Sequence, residues 1–234
     1  AAAPSAYTER KKAYAAPLFE SLQMNFRSGR YLLSTIIQLV LPAIAVLLLN
    51  KLYASMNTNY SGEVMTKAFN LLVMLVITVS FNNEYATVYS KEANARNIIK
   101  TRPQNSIYTL FGRIAPRIVV ILISTLAVIV TTLFVSSSEK SEIVMMGIVT
   151  LLVSEAHLLW CAEMDVMRSY ADQYATVGVQ FDSPNERNAT IIGFLLSGFF
   201  AFAYYFFSDR GTTSSIVKGL LIAAALLAVR IYLY

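Results

Sequence analysis

The chain has 234 residues, of which 56% are hydrophobic and only 14% charged, with a formal net charge of +5. A soluble domain carries roughly 25% charged residues, so there is too little polar material here to cover a water-facing surface; a soluble globular fold, disorder, collagen and a coiled coil are all excluded. The single cysteine, Cys161, cannot close an intramolecular disulfide, and the single His157 supplies no Cys/His set for a structural zinc.

Residues 1–20 lack the apolar stretch of a cleavable signal peptide, and a chain opening on Ala1 is expected to be a processed or partial piece of a longer protein. Pro17–Arg27 predicts a short amphipathic helix. Pro17 suits the first helical position, Leu18, Phe19, Leu22 and Phe26 share one face, and Glu20, Gln23 and Arg27 take the other. Gly29 ends it. Placed just before a span, such a helix lies along the membrane interface; a plain extension of the first span is the alternative.

Crossing a bilayer by helix takes about 20 mostly apolar residues. Six stretches qualify: Tyr31–Leu49, Ala68–Asn83 (running on past Glu84), Ile118–Val135, Ile143–Ala162, Ala189–Ser208 and Ile216–Tyr234. The fourth carries Glu155 and His157. Its nine Ile, Leu and Val residues contribute about −0.3 to −0.6 kcal/mol each, against about +2.5 to +3.5 for an acidic residue at the centre, so it spans with help from neighbours. Lys218 and Arg230 sit near the two ends of the last span and are expected to snorkel to opposite interfaces.

Between the second and third spans, Ser90–Thr101 reads as a short helix with Glu92 and Arg96 as a favourable i,i+4 pair. Pro103 forbids its continuation and pushes Arg102 toward extended geometry. A second short piece, Ile107–Arg113, follows, and Pro116 is expected to kink the start of the third span. The whole is a basic knob; a solvated positive loop on anionic lipid has the same composition. The connection at residues 163–188 has the opposite sign, −3 against +4 for residues 84–117. Docking of one on the other is allowed, and worth little where exposed. Ser183-Pro-Asn-Glu186 is a capping box, Ser at the cap, Pro first and Glu third, that starts the fifth span.

Six spans put both termini on one side. With that side inside, fourteen of the 19 basic residues fall on cytoplasmic segments, as the positive-inside rule requires. The turns on the other side are short, about Asn50–Thr66, Ser136–Glu142 and Ser208–Ser215, so any partner docks from the cytoplasm. Asn82, Asn83 and Glu84 near the inner end of the second span, and Glu155 and His157 in the fourth, are candidates by position, since intramembrane polar groups mark function by default. Two residues apart, Glu155 and His157 face different ways and are not one site; interhelical hydrogen bonding is the simpler role for each. Trp160 and the Phe/Tyr run of the fifth span read as packing and interface residues.

The arrangement resembles the membrane-spanning permeases of type 2 ABC exporters, most closely a subgroup from Gram-positive bacteria. The residues that carry the likeness are Pro17–Tyr31 for the leading interfacial helix, and Tyr89-Ser-Lys-Glu92 through Lys100-Thr-Arg-Pro103 for a coupling element, where the family has Ser-Arg/Lys-Glu and then Thr/Ser-x-Pro. Ala162-Glu-Met-Asp-Val-Met167, Gln173-Tyr-Ala-Thr176 and Ser183-Pro-Asn-Glu-Arg187 match the subgroup. The resemblance implies an all-α integral membrane protein: residues 1–30 as a cytoplasmic segment with the interfacial helix, and 31–234 as a six-helix permease domain. Its coupling element at about 90–103 would touch an ATPase through Ser90, Lys91, Glu92, Arg96, Lys100, Arg102 and Pro103. It also implies a bacterial plasma membrane, cytoplasmic termini and a second permease half as partner. The chain has no phosphate-cradling Gly-x-x-x-x-Gly-Lys-Ser/Thr loop, so ATP and Mg belong to separate ATPase subunits, and no cofactor, metal or enzymatic chemistry is expected in this chain. The rival readings are an ion- or proton-coupled secondary transporter using Glu84, Glu155 or His157, and a non-transporting membrane scaffold.

Overall fold

A computed structural model of the chain describes residues 18–19, 22–23, 29–55, 59–91, 106–136, 138–207 and 212–233. Among them are seven α-helices and no strand: α1 (Gly29–Leu52), α2 (Tyr60–Ser80), α3 (Ser106–Val135), α4 (Lys140–Met167), α5 (Ala171–Val177), α6 (Pro184–Phe207) and α7 (Thr212–Leu233). A tighter 3₁₀ segment, Phe81–Thr87, prolongs α2. All but the short α5 are long and apolar enough to cross a membrane, the build of a multi-pass membrane protein.

The helices alternate in direction. The α1–α2, α3–α4 and α6–α7 links lie at one end of the bundle, called here the turn end; the longer α2–α3 and α4–α6 links lie at the other, the connection end. At 1.5 Å per residue, α3 and α4 are about 45 and 42 Å long, more than the roughly 30 Å of hydrocarbon. Their polar portions, with Arg113 on one and Glu163 and Asp165 on the other, fall at the connection end.

Two expected boundaries are corrected. α2 begins at Tyr60 rather than Ala68, because Glu63 and Lys67 pair at 2.8 Å one turn apart and Lys67 is buried within the bundle instead of lying beside a loop. α3 begins at Ser106 and runs unbroken through Pro116, so the separate Ile107–Arg113 piece does not exist. A proline inside a helix forfeits one backbone hydrogen bond but keeps a helical φ. At Pro42 of α1 the forfeited donor leaves the Gln38 carbonyl open, and Ser124 of α3 supplies the missing hydrogen bond through its hydroxyl at 2.7 Å.

α2 and α4 form the centre. Of their apolar windows 56% and 61% are buried, against 11% for α7. α1 and α3 pack together on one flank, while α6 leans chiefly on α2 and α7 on α4. The core toward the turn end is Leu71, Leu75, Val149, Val153 and Phe200; toward the connection end it is Tyr85, Ile114, Leu158, Cys161 and Ala189. α6 reaches this centre only because position 193 is glycine: a Cβ there would collide with Val79 and stand 3.3 Å from His157 Nε2.

Candidate functional site

The central pair carries a ladder of polar contacts from one end of the bundle to the other. On α2, Lys67, Asn70, Met74, Thr78 and (in the 3₁₀ extension) Asn82 recur every three or four residues; on α4, Glu142, Met146, Thr150 and Ser154 do the same, so each set forms one stripe. The helices run parallel, and their register is constant. Lys67 Nζ donates to Glu142 Oε2 at 2.7 Å, 75 residues apart in sequence. Thr150 Oγ1 lies 4.0 Å from Met74 Sδ and Ser154 Oγ donates to Thr78 Oγ1 at 3.0 Å, both 76 apart. The backbone amides of Tyr89 and Ser90 donate to Asp165 Oδ2 at 2.6 and 3.0 Å, 76 and 75 apart. Asn82 Nδ2 adds a bond to the Ser154 carbonyl at 2.9 Å. Sliding one helix past the other would break these contacts together.

At the turn end the ladder closes on an ion pair. Lys67 and Glu142 are each 6% exposed, and Tyr204 of α6 donates to Glu142 Oε1 at 2.6 Å. With Glu63 on the other side of Lys67, both charges are hydrogen-bonded, which is the condition for a buried pair to offset its desolvation. Asn50 of α1 and Asn70 exchange amide hydrogen bonds at 3.1 and 3.3 Å next to this cluster. Sequence reasoning missed the cluster because a lysine near the start of an apolar run reads as a loop boundary; the Glu63–Lys67 spacing was the available signal.

At the connection end, Asp165 also accepts from the Ser90 hydroxyl, whose oxygen in turn accepts from the Tyr170 amide at 2.9 Å. Glu186 at the start of α6 accepts from Lys91 Nζ at 2.6 Å and from Thr87 Oγ1 at 2.7 Å. Ser90 and Lys91, at the head of the expected coupling element, are therefore held by both α4 and α6. Two expectations change. Of the basic connection, Tyr89, Ser90 and Lys91 dock on the acidic one, through the buried carboxylate of Asp165 as well as the more exposed Lys91–Glu186 pair. The capping box is half made: Ser183 Oγ accepts from the Asn185 amide at 3.3 Å, but Glu186 turns to Lys91 and Thr87, a cation and a hydroxyl that only the folded chain provides. Ser90 and Lys91 are in 3₁₀ geometry after a turn at 88–89, and the rest of the expected Ser90–Thr101 helix lies outside the described residues. Beside this clamp, burial pushes the Tyr174 phenol above its ordinary pKa.

Glu92, Arg96, Lys100, Arg102 and Pro103 lie outside the described residues. Of the expected interfacial helix, Leu18, Phe19, Leu22 and Gln23 are described, and they are helical. Leu18 and Leu22 line a cavity of about 370 Å³ with Leu32 and Thr35 of α1 and Pro116 and Val119 of α3.

The intramembrane candidates separate into two sets. Asn82 accepts from Arg117 Nε at 3.4 Å; Arg117, only 3% exposed, lies 5.7 and 5.9 Å from the ring centres of Phe81 and Tyr85. Arg113 stacks 4.9 Å over Tyr89. These two arginines, assigned from sequence to the cytoplasmic connection, are in fact built into the wall of the bundle at its connection end. Glu84 and Glu155 lie within electrostatic reach of Arg117, and Asn83 Nδ2 donates to Thr190 Oγ1 at 3.0 Å. His157 stands apart, as its spacing from Glu155 required: its Nε2 meets the Ala189 carbonyl at 2.9 Å and its Nδ1 lies 3.6 Å from Cys161 Sγ. Arg230 is stacked 3.7 Å over Trp160 and donates to Glu163 at 2.6 Å, so it is tied to α4 rather than merely reaching for an interface. Among the described residues, no three His, Cys, Asp or Glu side chains converge as a metal site. Comparison with protein-family models, with curated proteins and with solved structures found no match.

Proposed function

We propose that this chain is the membrane-spanning permease subunit of an ABC exporter, working with a separate cytoplasmic ATPase that holds ATP and Mg and with a second permease half. The observation that supports this reading is the clamp at Ser90 and Lys91. A push on residues 92–103 would act on a point fastened to α4 through Asp165 and to α6 through Glu186. The α2–α4 ladder would then carry the displacement, with little slip, to the Lys67–Glu142–Tyr204 cluster at the far end. Each flanking helix is also tied to the pair at discrete polar points, Asn50 to Asn70, Arg117 to Asn82, Tyr204 to Glu142 and Arg230 to Glu163, so a shear of packed helices would pivot on these contacts. In this reading the connection end and both termini face the cytoplasm of a bacterial plasma membrane.

The test is ATP-driven transport in proteoliposomes holding this chain together with a co-expressed ABC-type ATPase subunit. Glu92→Lys and Arg96→Glu should abolish transport while leaving membrane insertion intact; undiminished transport in both variants rejects the reading. One observation favours a second reading, a proton- or ion-coupled transporter: Glu155 sits inside α4 with its Oε1 buried and without a hydrogen-bond partner among the described residues. Transport driven by a pH gradient in vesicles of this chain alone, lost in Glu155→Gln, would decide for it.

A further inference from the structure

We propose that the slot between α6 and α7 holds one phospholipid of the leaflet at the turn end, its acyl chain in the slot and its phosphate on Lys218. α6 leans on α2 and α7 on α4, so the two splay near their shared turn and leave a cavity of about 660 Å³. Leu71 of α2 and Met146 of α4 form its floor, and Phe200 of α6 and Ile222 of α7 form its walls. Water entering such a space finds no polar partners and is not retained. The one hydroxyl on the wall, that of Tyr204, is committed to Glu142. An aliphatic chain meets apolar atoms on every side.

The mouth supplies the other half of the ligand. Lys218 is the only charged side chain among the described residues that line the slot; it is exposed, and its Nζ stands 5.6 Å from the Phe207 ring centre. It lies in the second turn of α7, two residues inside the end of the apolar span that begins at Ile216, from where a lysine snorkels to the headgroups. A cation there above an apolar slot matches a phosphate joined to an acyl chain. A second copy of this chain fits less well: a symmetric contact through the slot brings the same patch to itself and sets Lys218 against Lys218. The proposal needs only a chain that spans a membrane and is independent of the exporter reading.

The experiment uses the full chain reconstituted in vesicles of equal phosphatidylglycerol and phosphatidylcholine, extracted in mild detergent and weighed intact by native mass spectrometry. One phospholipid should remain bound, with phosphatidylglycerol enriched about fivefold, the preference one lysine near a membrane surface sustains. Lys218→Gln, an exposed change, should bring that enrichment to parity. Gly219→Phe should remove the lipid, because position 219 has open space for a Cβ and the ring would fill the slot; unchanged elution on size exclusion establishes that this variant folds. A parent with no bound lipid, an unaltered preference in Lys218→Gln, equal retention in Gly219→Phe, or the loss of a second copy of the chain in place of lipid would each overturn the assignment.

Discussion

Replacing Glu142 by Gln probes whether the turn end is held by a buried ion pair. The substitution keeps the size and the hydrogen bond to Tyr204 but removes the charge facing Lys67 at 2.7 Å. Both partners are nearly inaccessible to solvent, so the variant leaves a buried ammonium with only Glu63, a carboxylate 39% exposed, to compensate it. Breaking a buried pair costs about 3–5 kcal/mol, and the surviving Glu63 contact places this case near the lower figure, about 3 kcal/mol. At 1.4 kcal/mol per tenfold, that is on the order of a 10²-fold larger open population. The protein contains its own reporter, since Cys161 is the only cysteine and is fully buried: a thiol-reactive fluorophore labels it only when the bundle opens. Labelling of Glu142→Gln should accelerate by about that factor, and the double variant Lys67→Met/Glu142→Leu should recover part of the loss, because an apolar pair of similar volume carries no charge to bury, the remainder being the Tyr204 hydroxyl left without its acceptor. An unchanged rate in the single variant, or a double variant worse than the single one, would refute the reasoning.

Tyr204→Phe deletes one hydrogen bond to a charged group and should cost about 1.5–3 kcal/mol in the same assay; no change would mean that α6 is not fastened at Glu142. Asp165→Ala strands the amides of Tyr89 and Ser90, at about 1–3 kcal/mol for each buried group, and tryptic cleavage after Lys91 should speed up about tenfold or more; an unaltered cleavage rate would remove the clamp from the argument. Gly193→Ala should destabilise by about 1–3 kcal/mol through collision with Val79. Gly198→Ala, which meets nothing within 4 Å, should instead gain up to about 1 kcal/mol of helix propensity; similar effects at both positions would show that α6 does not approach α2 as described. Gln38 is fully buried and neither polar atom of its amide has a partner among the described residues. Gln38→Leu should therefore stabilise by about 1–3 kcal/mol, and a loss of stability would reveal a partner for that amide.

Which features were legible follows from how local their causes are. The six spans were, because an apolar run of about 20 residues in a bilayer satisfies its own backbone and can do little else. Ser183 as the cap of α6 was too, since capping needs only the next few amides. Lys67 and Arg117 were misplaced, one beside a loop and the other in the cytoplasmic connection, because the counterparts that make their burial tolerable lie on other helices. Glu186 was misread for the complementary reason: its local role was available, but Lys91 and Thr87 are stronger partners and are 95 and 99 residues distant.

The amino-acid order alone decided that this is a bundle of membrane-crossing helices and even where the polar stripes of α2 and α4 would lie, since a repeat of three or four residues puts side chains on one face whatever surrounds the helix. It could not decide that the two stripes meet, in parallel, with an offset of 75 to 76 residues. That register is a property of how α1, α3, α6 and α7 crowd the central pair, and it is enforced only when each buried donor finds its acceptor across the gap: Lys67 with Glu142, Ser154 with Thr78, Ser90 with Asp165.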